Sequence, residues 1–308
     1  MQSSHRITSS RGIVAVIASA LLASCSSAAP SSEATDPPTP SASVVDTTAA
    51  PTTTEPAPIR AIDTVPVPEA STVDALLALD RPIVIAHAGG DFDAPHSTMY
   101  AYTQAALAGT DVLEMDVMLT ADGVLVVHHN PHLDDGRLVA ATRHADLPGH
   151  VPTLGDALDA CQGMWVNVEI KNDPEEPDFD VTESIADDTI AHLVARDEDE
   201  RWVISSFRLE TVDRCRELAP DIRTAWLTVD IPQGVETLLV ERGHIALHPW
   251  VNALDRPTLD RCHAAGIAVN VWTCDDPERM AQLFEWGIDG VCTNVPDVAL
   301  RVRRGEPA

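Results

Sequence analysis

Apolar, largely β-branched runs recur along most of the chain, at 83–86, 112–117, 124–128, 165–170, 202–205, 223–228, 245–248, 267–272 and 289–293. Their length and composition predict strands. Stretches of helical periodicity separate most of them, among them Thr98 to Leu107, Leu154 to Ala160, Ser184 to Ala195 and Pro277 to Trp286. Strands alternating with helices predict a mainly parallel sheet. The second and third runs are joined only by Leu119-Thr120-Ala121-Asp122-Gly123, too short for a parallel crossover, so those two form a hairpin. With one hairpin strand set aside, eight remain. The predicted fold is α/β, a TIM-type (β/α)8 barrel with a β-hairpin at the second strand, and functional groups are expected at the C-terminal ends of its strands.

Before the first strand the pattern changes twice. A short segment with Arg6 and Arg11 precedes an unbroken run of apolar and small residues from Ile13 to Ala23, which has the length of a signal h-region rather than of a spanning helix. The run ends in Leu22-Ala23-Ser24-Cys25, which resembles the lipobox at which bacterial lipoproteins are cleaved, so residues 1–25 read as a signal peptide with Cys25 as the lipidation site. Residues 26–75 are rich in Ser, Thr, Pro and Ala and have no apolar period. Such a segment buries too little to offset the entropy of ordering it and reads as a disordered linker. Residues 76–305 then form one catalytic-size domain. The expected location is exported, on the extracytoplasmic side of the cell membrane and held there by an N-terminal lipid anchor.

Polar residues interrupt the strands with a strand's period. In Val112-Leu113-Glu114-Met115-Asp116-Val117, residues two apart share a face, so Glu114 and Asp116 point together and Leu113, Met115 and Val117 point away. In Val166-Asn167-Val168-Glu169-Ile170-Lys171 the same period puts Asn167, Glu169 and Lys171 on one side. Carboxylates so crowded need a hard cation among them, and Ca²⁺ or Mg²⁺ suits three oxygen ligands plus water. His87 ends the first strand run and His128-His129 the third, offering imidazoles for acid–base work. His5, His144, His150, His192, His244 and His263 read as exposed or satisfied side chains.

Composition narrows the picture. The formal net charge of −28, with Arg301, Arg303 and Arg304 as the one basic cluster, excludes nucleic acid as a partner. That charge opposes any phosphate substrate unless a bound cation relieves it locally. Lys171 is the only lysine in the chain, a compact ammonium suited to a phosphoryl oxygen. Cys161, Cys215, Cys262, Cys274 and Cys292 show no metal-binding spacing; one or two disulfides, or buried small apolar side chains, are both open.

Taken in order, the motifs resemble the glycerophosphodiester phosphodiesterase family of phospholipase C-like barrels. The family's H-R-G, P-E-N-T, E-x-D, T-x-D-G, V-V-x-H-D, E-x-K, S-S-F and V-W-T followed by G-x-D-G-x-x-T-D-x-P correspond to His87-Ala88-Gly89, Pro95-His96-Ser97-Thr98, Glu114-Met115-Asp116, Thr120-Ala121-Asp122-Gly123, Val126-Val127-His128-His129-Asn130, Glu169-Ile170-Lys171, Ser205-Ser206-Phe207, and Val271-Trp272-Thr273 with Gly287 to Pro296. The match runs from about Pro82 to Leu300. Pro131 and Leu133 align His129, rather than His128, with the family's second histidine.

The resemblance implies that His87 and His129 are the acid–base pair, that Glu114, Asp116 and Glu169 bind one divalent cation, and that Lys171 steadies phosphate. Trp272 and Phe207 then line the substrate pocket. Three departures stand out: Ala88 replaces an arginine, His96 and Ser97 replace Glu and Asn, and Asn130 replaces an aspartate. His96 or Arg137 is a candidate for the missing phosphate contact. The implied activity is metal-dependent hydrolysis of a small-molecule or lipid-derived phosphodiester to glycerol 3-phosphate and an alcohol. Phospholipase D-like action on lysophospholipids, and a catalytically silent glycerophosphodiester-binding surface lipoprotein, are the alternatives.

Overall fold

The computed structural model describes residues 73–92 and 95–307. The expected signal segment, Cys25 and nearly all of the linker lie outside the described residues. In chain order the elements are α1 (Val73–Leu77), β1 (Ile83–Ala86), α2 (Met99–Ala108), β2 (Val112–Leu119), β3 (Leu125–Val127), α3 (Leu154–Ala160), β4 (Trp165–Ile170), α4 (Ser184–Val194) and β5 (Trp202–Ser206). There follow α5 (Leu209–Leu218), β6 (Arg223–Thr228), α6 (Val235–Arg242), β7 (Ala246–Pro249), α7 (Arg256–Ala264), β8 (Ala268–Val271), α8 (Pro277–Trp286), β9 (Gly290–Thr293) and α9 (Pro296–Arg303). Among the described residues the first element, α1, begins at Val73, ahead of the expected boundary at 76.

Eight parallel strands close into a barrel. β2 pairs with β4 over its length, β4 to β9 pair in sequence, and β1 bridges β9 and β2 through Ala86↔Thr293 and Ile85↔Val112. The remaining strand, β3, lies antiparallel on β2 with Val117 opposite Val127, as its five-residue connection requires. Thr120 fixes that hairpin: its hydroxyl donates to Asp122 at 2.8 Å and accepts from the Val124 N–H at 2.9 Å. Gly123, at φ +75°, supplies the left-handed step.

Strand alternation divides inside from outside. Leu113, Met115, Val117, Val166, Val168 and Ile170 face outward onto Leu154, Leu158, Ile190 and Leu193 of the helices. On the opposite side Leu247, Val269, Val271 and Val291 pack on Leu239, Leu259, Met280 and Leu283. The base of the barrel is closed by α1, whose Val73 and Leu76 join Ile83, Val112 and Trp165. Asp255 and Asp276 cap α7 and α8 by accepting from Thr258 and Glu278 N–H groups, each followed by a proline in the first turn.

Ion pairs take up the basic C-terminal cluster: Arg301 with Asp297, Arg303 with Asp111 and Arg304 with Glu306. The five cysteines from Cys161 to Cys292 are all buried free thiols, which settles the open disulfide question for the described residues. Among these residues no helix is long and apolar enough to cross a membrane.

Candidate active site

The carboxylates come from two neighbouring strands. The β2–β4 register sets Glu114 beside Asn167 and Asp116 beside Glu169, so alternation sends all three acids into the barrel. They are 3%, 1% and 7% exposed, and each offers an oxygen within 4.8 Å of the other two. Lys171 Nζ donates to Glu169 Oε1 at 2.9 Å and lies 3.3 Å from Asp116 Oδ1. One ammonium thus faces three buried acids. Unit charges about 4 Å apart repel by roughly 4 kcal/mol at the effective dielectric of a protein.

Titration behaviour follows from that crowding. Burial raises the Glu114 carboxyl well above its usual range, and the charges of Asp116 and Glu169 raise it further against the pull of the Ala88 N–H. Burial also pushes Asp116 up, but Lys171, His129 and His87 together hold it below the ordinary aspartate value. Burial lowers the Lys171 ammonium, yet Glu169 and Asp116 outweigh this and drive it upward. Glu114 Oε1 and Asp116 Oδ2 are buried with no hydrogen-bond partner. Orphaned hard oxygens on clustered acids fit a hard divalent cation, which would satisfy both atoms and the excess negative charge.

The two histidines meet beside this centre. His87 and His129 have ring centroids 5.1 Å apart at an interplanar angle of 81°. His87 Nδ1–H donates to Asn294 Oδ1 at 2.7 Å. Asn294 cannot present its other face, because its Nδ2 donates to the Asp275 carboxylate at 2.7 Å and a carboxylate accepts only. Asp275 also accepts from the Asn294 N–H and the Thr293 hydroxyl. His129 Nδ1–H donates to Asn130 Oδ1 at 3.0 Å. Both imidazoles therefore keep Nε2 free to exchange a proton.

A cavity of about 310 Å³ joins these groups, lined by His87, Glu114, His129, Glu169, Lys171 and, opposite them, Phe207 and Trp272. The two aromatic rings stand edge to face with centroids 5.1 Å apart. Trp272 is fixed by its indole N–H, which donates to the His248 carbonyl at 2.8 Å.

The replacements take definite places. Ala88 sits in a tight turn at φ +46° with its side chain fully buried, and its N–H holds Glu114 Oε2 at 2.6 Å. At this position the backbone, rather than a side chain, serves the site. His96 stands 5.9 Å from His87, held by Asp91 at 2.5 Å, outside the residues that line the cavity. Arg137 is tied to Asp135 and to the Asp146 carbonyl and is not among the residues that line the cavity. His128 turns to the Asn130 carbonyl, as expected of the residue facing away.

Sequence reasoning passed over His248, Asn270, Asn294 and Asp275. For His248 and Asn270 the signal was the same two-residue period: Ala246 and His248, and Asn270 and Trp272, are inward pairs on β7 and β8. Asn294 stands at the aspartate position of the T-D-x-P motif, whereas nothing local marks Asp275, which reaches His87 only through Asn294.

Proton-carrying imidazoles set beside an acid cluster at the strands' C-terminal ends define the class, a barrel-fold phosphodiesterase. The comparisons specify it. Residues 87–298 match the model of the glycerophosphoryl diester phosphodiesterase family, and the chain belongs to that family. It is 27% identical to a glycerophosphodiester phosphodiesterase of Caldanaerobacter subterraneus, across 73% of this chain and 99% of that protein. A crystal structure of a putative glycerophosphoryl diester phosphodiesterase from Silicibacter pomeroyi superposes with a TM-score of 0.67 at 26% identity, covering 77% of this chain and 98% of that one. An Oleispira antarctica phosphodiesterase in complex with the product sn-glycerol-3-phosphate is also similar, with a TM-score of 0.64, 26% identity and coverage of 72% and 96%.

Proposed function

We propose that this protein hydrolyses glycerophosphodiesters to glycerol 3-phosphate and an alcohol with one bound divalent cation, Ca²⁺ or Mg²⁺. The observation that carries this reading is a cluster of three mutually close buried acids, two of which, Glu114 and Glu169, line a cavity together with Lys171 and the His87–His129 pair. The family relatives and the product complex of the Oleispira enzyme support it.

Glu114, Asp116 and Glu169 would hold the cation, which when bound supplies charge neutralisation to the phosphoryl oxygens. Lys171, kept protonated by its acid neighbours, adds a second positive group for the transferring phosphoryl. One imidazole Nε2 takes the proton of the attacking oxygen as that oxygen bonds to phosphorus. The other gives a proton to the alkoxide as the second P–O bond breaks. The attacker is water, or the glyceryl arm's neighbouring hydroxyl with later opening of the cyclic ester. Asn294 and Asn130 hold the imidazoles in the tautomer this exchange needs. Phe207 and Trp272 exclude water from one side of the cavity.

The sequence before the domain supports an exported enzyme, anchored by lipid at Cys25 to the extracytoplasmic face of the cell membrane. A substrate panel with Ca²⁺, Mg²⁺, Mn²⁺ or EDTA on the domain from residue 73 tests the chemistry. Release of choline from glycerophosphocholine that EDTA abolishes supports the reading. No turnover of any diester overturns it, and faster turnover of lysophospholipids than of deacylated diesters would favour phospholipase D-like action.

A further inference from the structure

A phosphodiester has two arms, and the groups set to hold its phosphorus open onto two spaces. Besides the catalytic cavity, a second cavity of about 260 Å³ lies between the end of the β3 hairpin and the β4–α4 loop. His129, Glu169, Lys171 and Phe207 line both. A phosphorus held at Lys171 and His129 would send one ester arm into each.

The two spaces differ in charge. Apart from the catalytic acids, Lys171 and the His87–His129 pair, every residue lining the first is uncharged, His248 included, since burial lowers its pKa to about 4. The second adds three acids from the β4–α4 loop, Asp173, Glu176 and Asp178. The first and last are half-buried. None of the three is in an ion pair among the described residues, and Asp173 accepts only the Glu175 N–H, at 3.0 Å. The loop that carries them is pinned from below. Asn172, 2% exposed, donates to the Asp180 carbonyl at 3.1 Å and to Glu183 Oε2 at 3.0 Å, and accepts the Asp180 N–H at 2.8 Å. Glu169, 7% exposed at the junction of the two spaces, gives Oε1 to Lys171 and keeps Oε2 without a hydrogen bond among the described residues.

A second metal ion does not account for the loop acids. Among the described residues the one acid-bearing group close enough to share an ion is Glu114, Asp116 and Glu169. Carboxylates spread around a volume, rather than converging on a point, suit a cation several atoms wide. Pro131, Val229 and Phe207 complete the wall. Apolar surface suits methyl groups on nitrogen, and an aromatic ring attracts the positive charge they surround. An anionic head group is repelled by the same three acids.

We propose that this second cavity is the subsite for the departing alcohol, and that Asp173, Glu176, Asp178 and Phe207 select a cationic, N-methylated amino alcohol there. The proposal rests on the phosphodiesterase reading above and deepens it by naming the class of alcohol released.

The test uses the full protein with saturating Ca²⁺ and Mg²⁺ and two glycerophosphodiesters, of choline and of its uncharged carbon isostere 3,3-dimethylbutanol. Wild type is expected to favour the choline ester by about tenfold in kcat/KM, chiefly through KM, and the ratio should shrink between about 0.02 M and about 0.5 M salt. The combined Asp173→Asn, Glu176→Gln and Asp178→Asn variant should bring the ratio towards one, with melting followed to confirm folding. Asp178→Asn alone, at a carboxylate free of hydrogen bonds, should lower it about threefold. Neutralising Glu200, Glu241 and Glu285, exposed acids that line neither cavity, should leave the ratio in place. Equal rates in the wild type, a ratio that survives the loop variants, or one lost equally in the remote variant overturns the proposal. Calorimetry on His87→Ala protein, whose changed residue lies outside the second cavity, reads the preference without turnover: about tenfold tighter binding of the choline ester supports the subsite, and equal affinities overturn it. Binding with this preference by a wild type that hydrolyses neither ester instead overturns the phosphodiesterase reading.

Discussion

The two sides of the catalytic cavity handle charge in opposite ways. On β2 and β4, three acids and a lysine crowd together in nearly dry surroundings. On β7, β8 and β9, the inward side chains are His248, Asn270, Trp272 and Cys292, none ionised at neutral pH: burial depresses the imidazole and raises the Cys292 thiol. Glu114 and His248 share the barrel interior yet shift in opposite directions, because burial penalises whichever form is charged and only the acids keep ionic neighbours. Charge is thus confined to the side where a cation would compensate it. The neutral side is left to shape and hydrogen bonding.

The sharpest way to break this division is to discharge the acidic side. Glu114→Gln or Asp116→Asn is expected to reduce kcat by about a thousandfold or more; in EDTA Glu114→Gln should melt at or above wild type because like-charge repulsion falls, whereas Asp116→Asn should melt below it because Lys171 loses a carboxylate partner. Ca²⁺ should raise the melting temperature of wild type, by about 2.7 kcal/mol of stability at a hundred times Kd, and leave both variants unmoved. A variant that keeps full activity would refute the assignment of this side.

Next in size is the histidine at the boundary. Asn294→Leu removes the acceptor that sets the His87 tautomer, and a 10- to 100-fold fall in kcat with little change in KM is expected, about what loss of an orienting hydrogen bond produces elsewhere. If KM changes instead, Asn294 serves substrate binding. Asp275→Asn should act in the same direction more weakly, since it loosens Asn294 without removing its oxygen.

The neutral side answers to pH. The folded pKa of His248, about 4, lies below the ordinary 6.5, so the unfolded chain takes up this proton first as the solution is acidified. The associated stability is present above pH 6.5 and is lost between about 6.5 and 4, to the extent of about 3 kcal/mol. Urea titrations across that window should show a shallower fall for His248→Gln than for wild type. Parallel slopes would show that His248 is not held neutral.

The smallest effect concerns packing. Gly290→Ala should cost about 1–3 kcal/mol by thermal melting, since the added methyl displaces Asn270 and Ile83. An unaltered melting curve would mean that the neutral side is looser than its contacts imply.

The same contrast explains what could be read before the structure. A carboxylate inside an apolar strand is conspicuous, so the period of two exposed Glu114, Asp116 and Glu169 directly. The strand and hairpin pattern was equally legible, because the βα repeat is written locally in burial. In Ala246-Leu247-His248-Pro249 the same period operates, but a neutral histidine among apolar residues resembles ordinary core. Asn294 and Asp275 act on His87 across 207 and 188 residues of chain, the first figure from their hydrogen bond and the second from 275 − 87, a link that only barrel closure creates. Ala88 lacks the side chain that the motif predicts at this position, and what it gives the site is its amide, which holds Glu114.

Lys171 carries one last consequence, for the chemist at the bench. As the chain's single lysine, it gives amine-directed reagents one side-chain address, inside the catalytic cavity. Its two carboxylate partners keep the nitrogen protonated and therefore unreactive. Acylation of that amine, counted by mass spectrometry, would report directly when the acidic cluster has come apart.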